Sequence, residues 1–257
     1  MLNALPKPLY EFIRCTRSNV MRLRRFRISY GGGLWQVRGD GVQLKFPYYP
    51  YLAFHDIEGY LKNGAWKLRP GDVVIDAGAC DGEFAIFASK CVGPTGRVLM
   101  IEPDPANIAR ARRNLELNGN PDNVVIVAAG LWNRKEVLRF AAGQAATSSV
   151  KATAGGEGVI EIPTVTFADL IENEKLDRID FVKIDIEGAE IEALENLPYL
   201  PPQFRPRFAI ASYHQRDGDI TAPRVERMLR DLRYNVETGN ERHLTTWAEI
   251  KSGDMND

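Results

Sequence analysis

The sequence is poor in cysteine. Its 257 residues include three, Cys15, Cys80 and Cys91, with no C-x-x-C pair and no zinc-ligand spacing. So sparse and odd a set excludes a disulfide framework and predicts a reducing compartment, with the thiols buried or incidental. A chain of this length can bury a core without disulfides or metals. It also lacks net charge: the balance is −1, so no global field draws nucleic acid or acidic membrane, and any basic site is local. No apolar run approaches the length that crosses a bilayer. Pro6, Pro8 and early charges make the N-terminus unlike a signal peptide, and a cytoplasmic location is expected. No G-x-G-x-x-G is present either, which argues against a nicotinamide dinucleotide site.

What is present is an alternation of apolar runs and helical periods. Val73–Asp76, Val98–Ile101, Val124–Ala128, Phe181–Ile184 and Phe208–Ala211 read as short buried strands. Helices over Glu83–Lys90, Pro105–Asn118, Phe167–Glu174, Ala189–Asn196 and Arg224–Arg233 fall between or after them. That rhythm predicts βαβ units and a mostly parallel sheet. Val137–Ala141 and Val159–Val165 interrupt it as an inserted hairpin or loop around 130–165, and Val236 with Leu244–Trp247 suggests a closing antiparallel pair. The division expected is an N-terminal extension, 1–69, followed by one domain, 70–257. Within the extension, arginines from Arg14 to Arg27 interleave with apolar residues as a basic helix. Leu34–Arg38 and Val42–Phe46 flank an Asp40-Gly41 turn, and a helix is expected from about Phe54 to Asn63.

The strongest constellation is Val73-Val74-Ile75-Asp76-Ala77-Gly78-Ala79-Cys80-Asp81-Gly82, a buried strand ending in a glycine turn that feeds a helix. Gly78, lacking Cβ, is expected to admit a ligand close to the backbone. Asp76 before the loop and Asp81 inside it would repel a pyrophosphate. They suit a ligand with an amino group and a sulfonium but no phosphate, which describes S-adenosylmethionine. The next strand ends in Glu102-Pro103-Asp104-Pro105. Glu102 lies 24 residues beyond Gly78, where a carboxylate can accept from ribose hydroxyls. Asp76, Gly78, Ala79, Asp81, Gly82, Glu102, Pro103 and Asp104 are therefore the expected cofactor-binding residues.

Three segments in this order resemble the FkbM-type methyltransferases. They are Gly71–Ala79, then Glu102-Pro103-Asp104-Pro105 with Asn114 and Asn118, and above all Lys183-Ile184-Asp185-Ile186-Glu187-Gly188-Ala189-Glu190, similar to that family's K-I-D-x-E-G-A-E signature. The resemblance covers roughly residues 70–200. It implies a Rossmann-like class I SAM-dependent methyltransferase fold, a mostly parallel seven-stranded sheet with helices on both faces. It also implies O-methylation of sugars, glycolipids or polyketide-like metabolites. The strand after the signature ends Ile210-Ala211-Ser212-Tyr213-His214, which keeps the family's histidine but not the acidic residue before it.

Methyl transfer to a hydroxyl needs alignment and a destination for the proton. The catalytic candidates are Lys183, Asp185, Glu187 and His214, all expected at one edge of the sheet. His214, with a reference pKa near neutrality, is the expected general base. Asp185 and Glu187 suit substrate orientation or a divalent ion, but with no third protein ligand evident a required metal is not expected. A Lys183–Asp185 ion pair is the structural alternative. Ser148 and Ser149 lie in the inserted loop, and His55 and His243 are given no role. The acceptor expected is a small-molecule or glycan hydroxyl. No DNA partner is expected, because the chain has neither an N/D-P-P-Y segment nor a Pro-Cys dipeptide. The Arg14–Arg27 cluster leaves RNA, a peripheral membrane contact or a homo-oligomer open, although a solvated helix packed on the domain explains it as well. A non-catalytic module that keeps the fold is the other alternative, and the intact set Asp76, Gly78, Gly82 and Glu102 argues against it.

Overall fold

The computed structural model describes residues 26–39, 41–50, 53–141, 159–201, 203–240 and 243–250. The arginine-rich stretch before Phe26, Cys15, the turn residue Asp40, and Ser148 and Ser149 lie outside the described residues, as does the side chain of His55.

The first described element is a strand. β1 (Phe26–Gly31) pairs antiparallel with β2 (Leu34–Gly39), which pairs antiparallel with β3 (Val42–Phe46). The basic helix expected up to Arg27 therefore does not extend into this segment. Ile28 is buried between the exposed Arg27 and Ser29, the period-2 alternation of a half-buried strand rather than a helical stripe. Gly32 and Gly33 both adopt positive φ, 59° and 79°, as a tight two-residue hairpin turn of primed type demands.

After helix α1 (Ala53–Tyr60) and a short 3-10 turn at Lys62–Gly64, the expected alternation appears. β4 (Val73–Ala77), α2 (Glu83–Val92), β5 (Arg97–Ile101), α3 (Pro105–Leu117) and β6 (Val124–Val127) follow in order. Then come β7 (Gly130–Leu131), β8 (Val137–Ala141) and β9 (Val159–Val165), a small sheet of order β7-β9-β8 that is the expected insertion. α4 (Phe167–Asn173), β10 (Phe181–Ile184), α5 (Glu190–Leu194) and β11 (Arg207–Ala211) resume the pattern. α5 is shorter than the helix expected over Ala189–Asn196. Pro198 lacks a backbone donor, and the chain tightens to a 3-10 turn at Leu197–Tyr199. A miniature hairpin, β12 (Gln215–Arg216) with β13 (Asp219–Ile220), precedes α6 (Ala222–Asp231). β14 (Asn235–Gly239) and β15 (Thr245–Glu249) close the fold as the expected antiparallel pair.

The main sheet has seven strands in the order β14-β15-β11-β10-β4-β5-β6. β11, β10, β4, β5 and β6 run parallel, and β15 is antiparallel to both of its neighbours. Of these, β4, β5, β10 and β11 are buried on both faces, hence their near-continuous apolar runs, while the edge strand β6 is partly buried. Alternate residues feed two cores. Val74, Met100, Phe181 and Ala209 join β1–β3, α1 and α2 on one face. Ile75, Leu99, Val182 and Phe208 meet α4, α5 and α6 on the other. Buried residues of the 26–69 segment, among them Trp35, Phe46, Tyr60 and Trp66, belong to the first of these cores. No helix among the described residues is long and apolar enough to cross a membrane.

Candidate active site

β4, β5 and β6 step outward in one direction, and the chain then returns to β10 on the other side of β4. The gap between the carboxyl ends of β4 and β10 is therefore a topological switch point, where open α/β sheets bind ligands. The register places Lys183 of β10 beside Asp76 of β4. Lys183 Nζ lies 3.0 Å from Asp76 Oδ1 and donates to the Gly78 carbonyl at 2.7 Å. The ion pair expected between Lys183 and Asp185 is thus made with Asp76 instead. Parallel pairing puts those two side chains level on one face. Burial opposes the Lys183 charge, but Asp76 and then Asp185 outweigh it and push its pKa up to about 12. Burial likewise pushes the fully enclosed Asp76 carboxyl up, with Lys183 pulling against it.

Gly78 (φ 73°) is needed for a different reason from the one expected. A Cβ there would sit 1.7 Å from the Asp185 carbonyl oxygen, so the missing side chain makes room for the end of β10. Gly82 (φ 80°) caps α2 and packs against Ala111 and Met100. Asp81 is fully buried between Arg110 Nε, 2.7 Å from Oδ1, and the Tyr48 hydroxyl, which donates to Oδ2 at 2.8 Å. Its charge is therefore compensated within the chain and not left to repel a phosphate. Asn114 donates to the Asp81 carbonyl at 2.9 Å and accepts from the Lys45 amide at 2.8 Å, tying β3 to the loop. Glu102 Oε2 accepts from the Cys80 amide at 2.8 Å, and Oε1 accepts from Asp104 N and Asn107 Nδ2 at 2.9 and 3.1 Å. Asp104 caps α3 by accepting from Ala106 N, Ala79 is buried, and Pro103 is half-buried.

Glu83, which sequence reasoning passed over, adds a further carboxylate to this loop. Burial and then Asp81 push its pKa up to about 8, and Oε2 is buried with no hydrogen-bond partner among the described residues. Among the described residues, Asp76 is thus paired with Lys183 and Asp81 with Arg110, while burial pushes the Glu83 and Glu102 carboxyls up toward their neutral forms. The loop is rich in carboxyl groups, and a cation arriving there would favour ionisation of Glu83. Cys80 sits within it, and burial pushes its thiol well up, so it is not a reactive thiolate.

Beyond the end of β10 lies a second cluster. Asp185, Glu187 and His214 bring ligand atoms within 4.8 Å of one another. His214 Nδ1 is 2.9 Å from Glu190 Oε1, and Nε2 is 3.4 Å from Asp185 Oδ1 and 3.6 Å from Glu187 Oε2. Burial disfavours the imidazolium, but Glu190 first, then Asp185 and Glu187, push its pKa up to about 9. The three carboxylates thus favour the imidazolium of His214 over its free base. Burial pushes the Glu187 carboxyl up to about 7 against the pull of His214. Burial also opposes the Asp185 charge, yet the nearby His243 and the Lys183 and His214 charges hold its carboxyl well below the usual range.

Tyr60 and His243 were not among the expected site residues. The Tyr60 hydroxyl donates to Asp185 Oδ2 at 2.8 Å, and His243 Nε2 is 3.7 Å from the same oxygen. His243 stands just ahead of β15, two strands from β10. Its place at the site follows from the sheet order, which sequence periodicity does not give.

Residues 76–236, more than half of the chain, match the family described as the methyltransferase FkbM domain. Methyltransferase sdnD of Sordaria araneosa is 25% identical over 213 residues, covering 71% of this chain and 79% of that protein. The crystal structure of a methyltransferase FkbM from Methylobacillus flagellatus KT aligns with TM-score 0.55 and 20% identity over 76% of this chain. The chain spans about half (47%) of the length of that structure's chain. A SAM-dependent methyltransferase from Aquifex aeolicus aligns with TM-score 0.47 and 18% identity over 79% of this chain and 94% of that one. The expected class I methyltransferase fold is the one found.

Proposed function

The chain belongs to the FkbM methyltransferase family, and on that premise we propose that it transfers a methyl group from S-adenosylmethionine to a hydroxyl oxygen of a sugar, glycolipid or small metabolite. The observation that carries the reading is the acidic glycine loop opening onto the Asp185–Glu187–His214 cluster at the switch point between β4 and β10.

The loop fits the donor on charge. Glu83 Oε2 has no hydrogen-bond partner among the described residues, and its carboxyl is held near neutral by burial, so a ligand bearing an ammonium and a sulfonium would favour its ionised form where a pyrophosphate would oppose it. The residues that would hold it are Asp76, the backbone of Gly78 to Gly82, Glu83 and Glu102. Glu102 Oε2 accepts a single bond from the Cys80 amide, which leaves acceptor capacity for a ribose hydroxyl. When bound, S-adenosylmethionine supplies a methyl group already activated on sulfur. The chain's own part is positioning. Lys183 locks the carbonyl of Gly78 and fixes the loop against β10. Tyr60 orients Asp185, and Glu190 orients His214. Glu187, the most exposed of the three cluster residues at 26% of its side chain, is the one best placed to touch an incoming acceptor.

The test is calorimetric titration of the protein with S-adenosylmethionine and with NAD, beside the Asp76→Ala, Glu102→Ala double variant. Labelled methyl transfer to glycosides, lipid-linked sugars, amines and RNA follows. Saturable S-adenosylmethionine binding that the variant loses, with label on hydroxyl acceptors, is expected. Binding of NAD instead, or label confined to amines or RNA, would sink the reading.

A further inference from the structure

We propose that Asp185, Glu187 and His214 form a site for one divalent metal ion that takes mixed nitrogen and oxygen ligands. We further propose that the ion holds and activates the acceptor hydroxyl, a second half that rests on the methyl-transfer reading above.

Three observations converge. The first is geometric: one nitrogen and two carboxylate oxygens lie within 4.8 Å of one another at the carboxyl end of β10. The sequence suggested two such ligands, and the fold brings in a third from beyond β11. The second is unmet bonding. Asp185 Oδ1 and both ring nitrogens of His214 are buried without a well-formed hydrogen bond among the described residues, Oδ1 and Nε2 lying 3.4 Å apart, and His214 is only 8% exposed. Buried polar atoms left in that state are costly and need an explanation such as an ion. The third is support from behind. Asp185 presents Oδ1 because Oδ2 is taken by Tyr60; an ion displaces the Nε2 proton of His214, as metal binding does, while Nδ1 stays against Glu190. Glu190 is itself fully buried and accepts from the Gly188 and Ile186 amides at 3.1 and 3.2 Å. A carboxylate behind a histidine is the usual way that a ligand imidazole is oriented. Glu187 adopts φ 56°, followed by Gly188 at 95°, an unusual backbone for a glutamate that turns its carboxylate back toward His214.

One imidazole and two carboxylates favour manganese, iron or zinc over magnesium or calcium, which prefer all-oxygen shells. Three protein ligands leave positions open for an acceptor oxygen, and an ion there makes a hydroxyl a better nucleophile at neutral pH. The hydroxyl proton leaves to solvent water. The oxygen's electron pair forms the new O–CH3 bond, and the electrons of the breaking S–CH3 bond remain on sulfur, so the balance closes without a side-chain base.

The experiment is titration of the full chain, chelator-stripped and desalted, with manganese in the absence of donor and acceptor, followed by electron paramagnetic resonance of the free ion. One saturable site is expected, at least ten-fold tighter than for magnesium. The Glu187→Gln and His214→Ala variants are expected to weaken it by ten-fold or more. Glu187 lies in a partly exposed turn, so E187Q remains informative if H214A does not fold, and a thermal melt of each shows which is folded. No saturable binding, tighter binding of magnesium, or unchanged affinity in folded E187Q overturns the proposal. Because the readout needs neither donor nor acceptor, its failure is distinct from failure of the methyl-transfer reading, which the labelling experiment reports.

Discussion

Replacing Lys183 by methionine isolates the contact that joins β4 to β10. The ammonium sits 3.0 Å from Asp76 Oδ1, and both side chains are almost wholly buried, at 6% and 0% exposure. At an effective dielectric near 20, a pair at that separation is worth about 5–6 kcal/mol of attraction. The bond to the Gly78 carbonyl, 2.7 Å long and charge-assisted, adds about 1.5–3 kcal/mol. Much of this only offsets the desolvation of two ions, so the net worth of the pair is small, while the cost of removing one partner is large. K183M is expected to lose about 3–5 kcal/mol, read as a fall in urea midpoint at unchanged slope. The abandoned Asp76 escapes part of that cost by taking a proton. In the variant its folded pKa lies far above its unfolded value, so the stability contributed by the protonated form is fully present below the unfolded pKa and is lost as pH rises through the folded one. K183M is thus expected to be less destabilised at pH 5 than at pH 8, and Asp76→Asn added to it is expected to recover about half the loss. A loss under about 1 kcal/mol with no dependence on pH would refute the reasoning, because it would mean that the pair is solvated.

Other consequences follow from the same geometry. Gly78→Ala places a Cβ 1.7 Å from the Asp185 carbonyl oxygen and is expected to cost about 3 kcal/mol or more, visible as a lowered melting temperature; a neutral outcome would show that the strand ends are free to part. Glu83, with its pKa raised from 4.5 to about 8, contributes stability that is fully present below pH 4.5 and is lost as pH rises through 8. Glu83→Gln is therefore expected to stabilise the ligand-free protein at pH 8 by about 1–3 kcal/mol and to flatten its stability profile between those limits, while weakening binding of a cationic ligand. Chemical denaturation across pH, paired with calorimetry, checks both. Asn114→Ala strands the Lys45 amide and the Asp81 carbonyl and is expected to cost about 2–3 kcal/mol; hydrogen exchange should quicken at β3 and at the glycine loop together, and unchanged protection at β3 would contradict the tie.

Much of this protein was legible without its tertiary structure, wherever the physics is local. The apolar runs of β4, β5, β10 and β11 name themselves because strands buried on both faces carry no alternation to hide them. Helix starts at Pro105 and Phe167 were expected from periodicity, and the structure shows Asp104, assigned from sequence to the cofactor, and Thr166 capping them through neighbouring atoms. The glycine loop and Glu102 at its strand end were visible as residue types at fixed spacings, and the Lys183–Glu190 run through its resemblance to the family signature. Only the assembled sheet decided how they are used. Lys183 pairs with Asp76 because parallel register sets them level, although they are 107 positions apart in the chain. Gly78 is required by the Asp185 carbonyl, a neighbour that no local rule identifies. His214 was read as a free base from its reference pKa, but the electrostatics come from Glu190, Asp185 and Glu187, which fold around it. Tyr60 and His243 reach Asp185 from an N-terminal helix and from the approach to the last strand, on opposite ends of the chain. Propensity and spacing act over a few residues and determine the elements. Charge compensation, desolvation and close approach act across the folded sheet, and for that reason the chemistry of the site belongs to the tertiary structure.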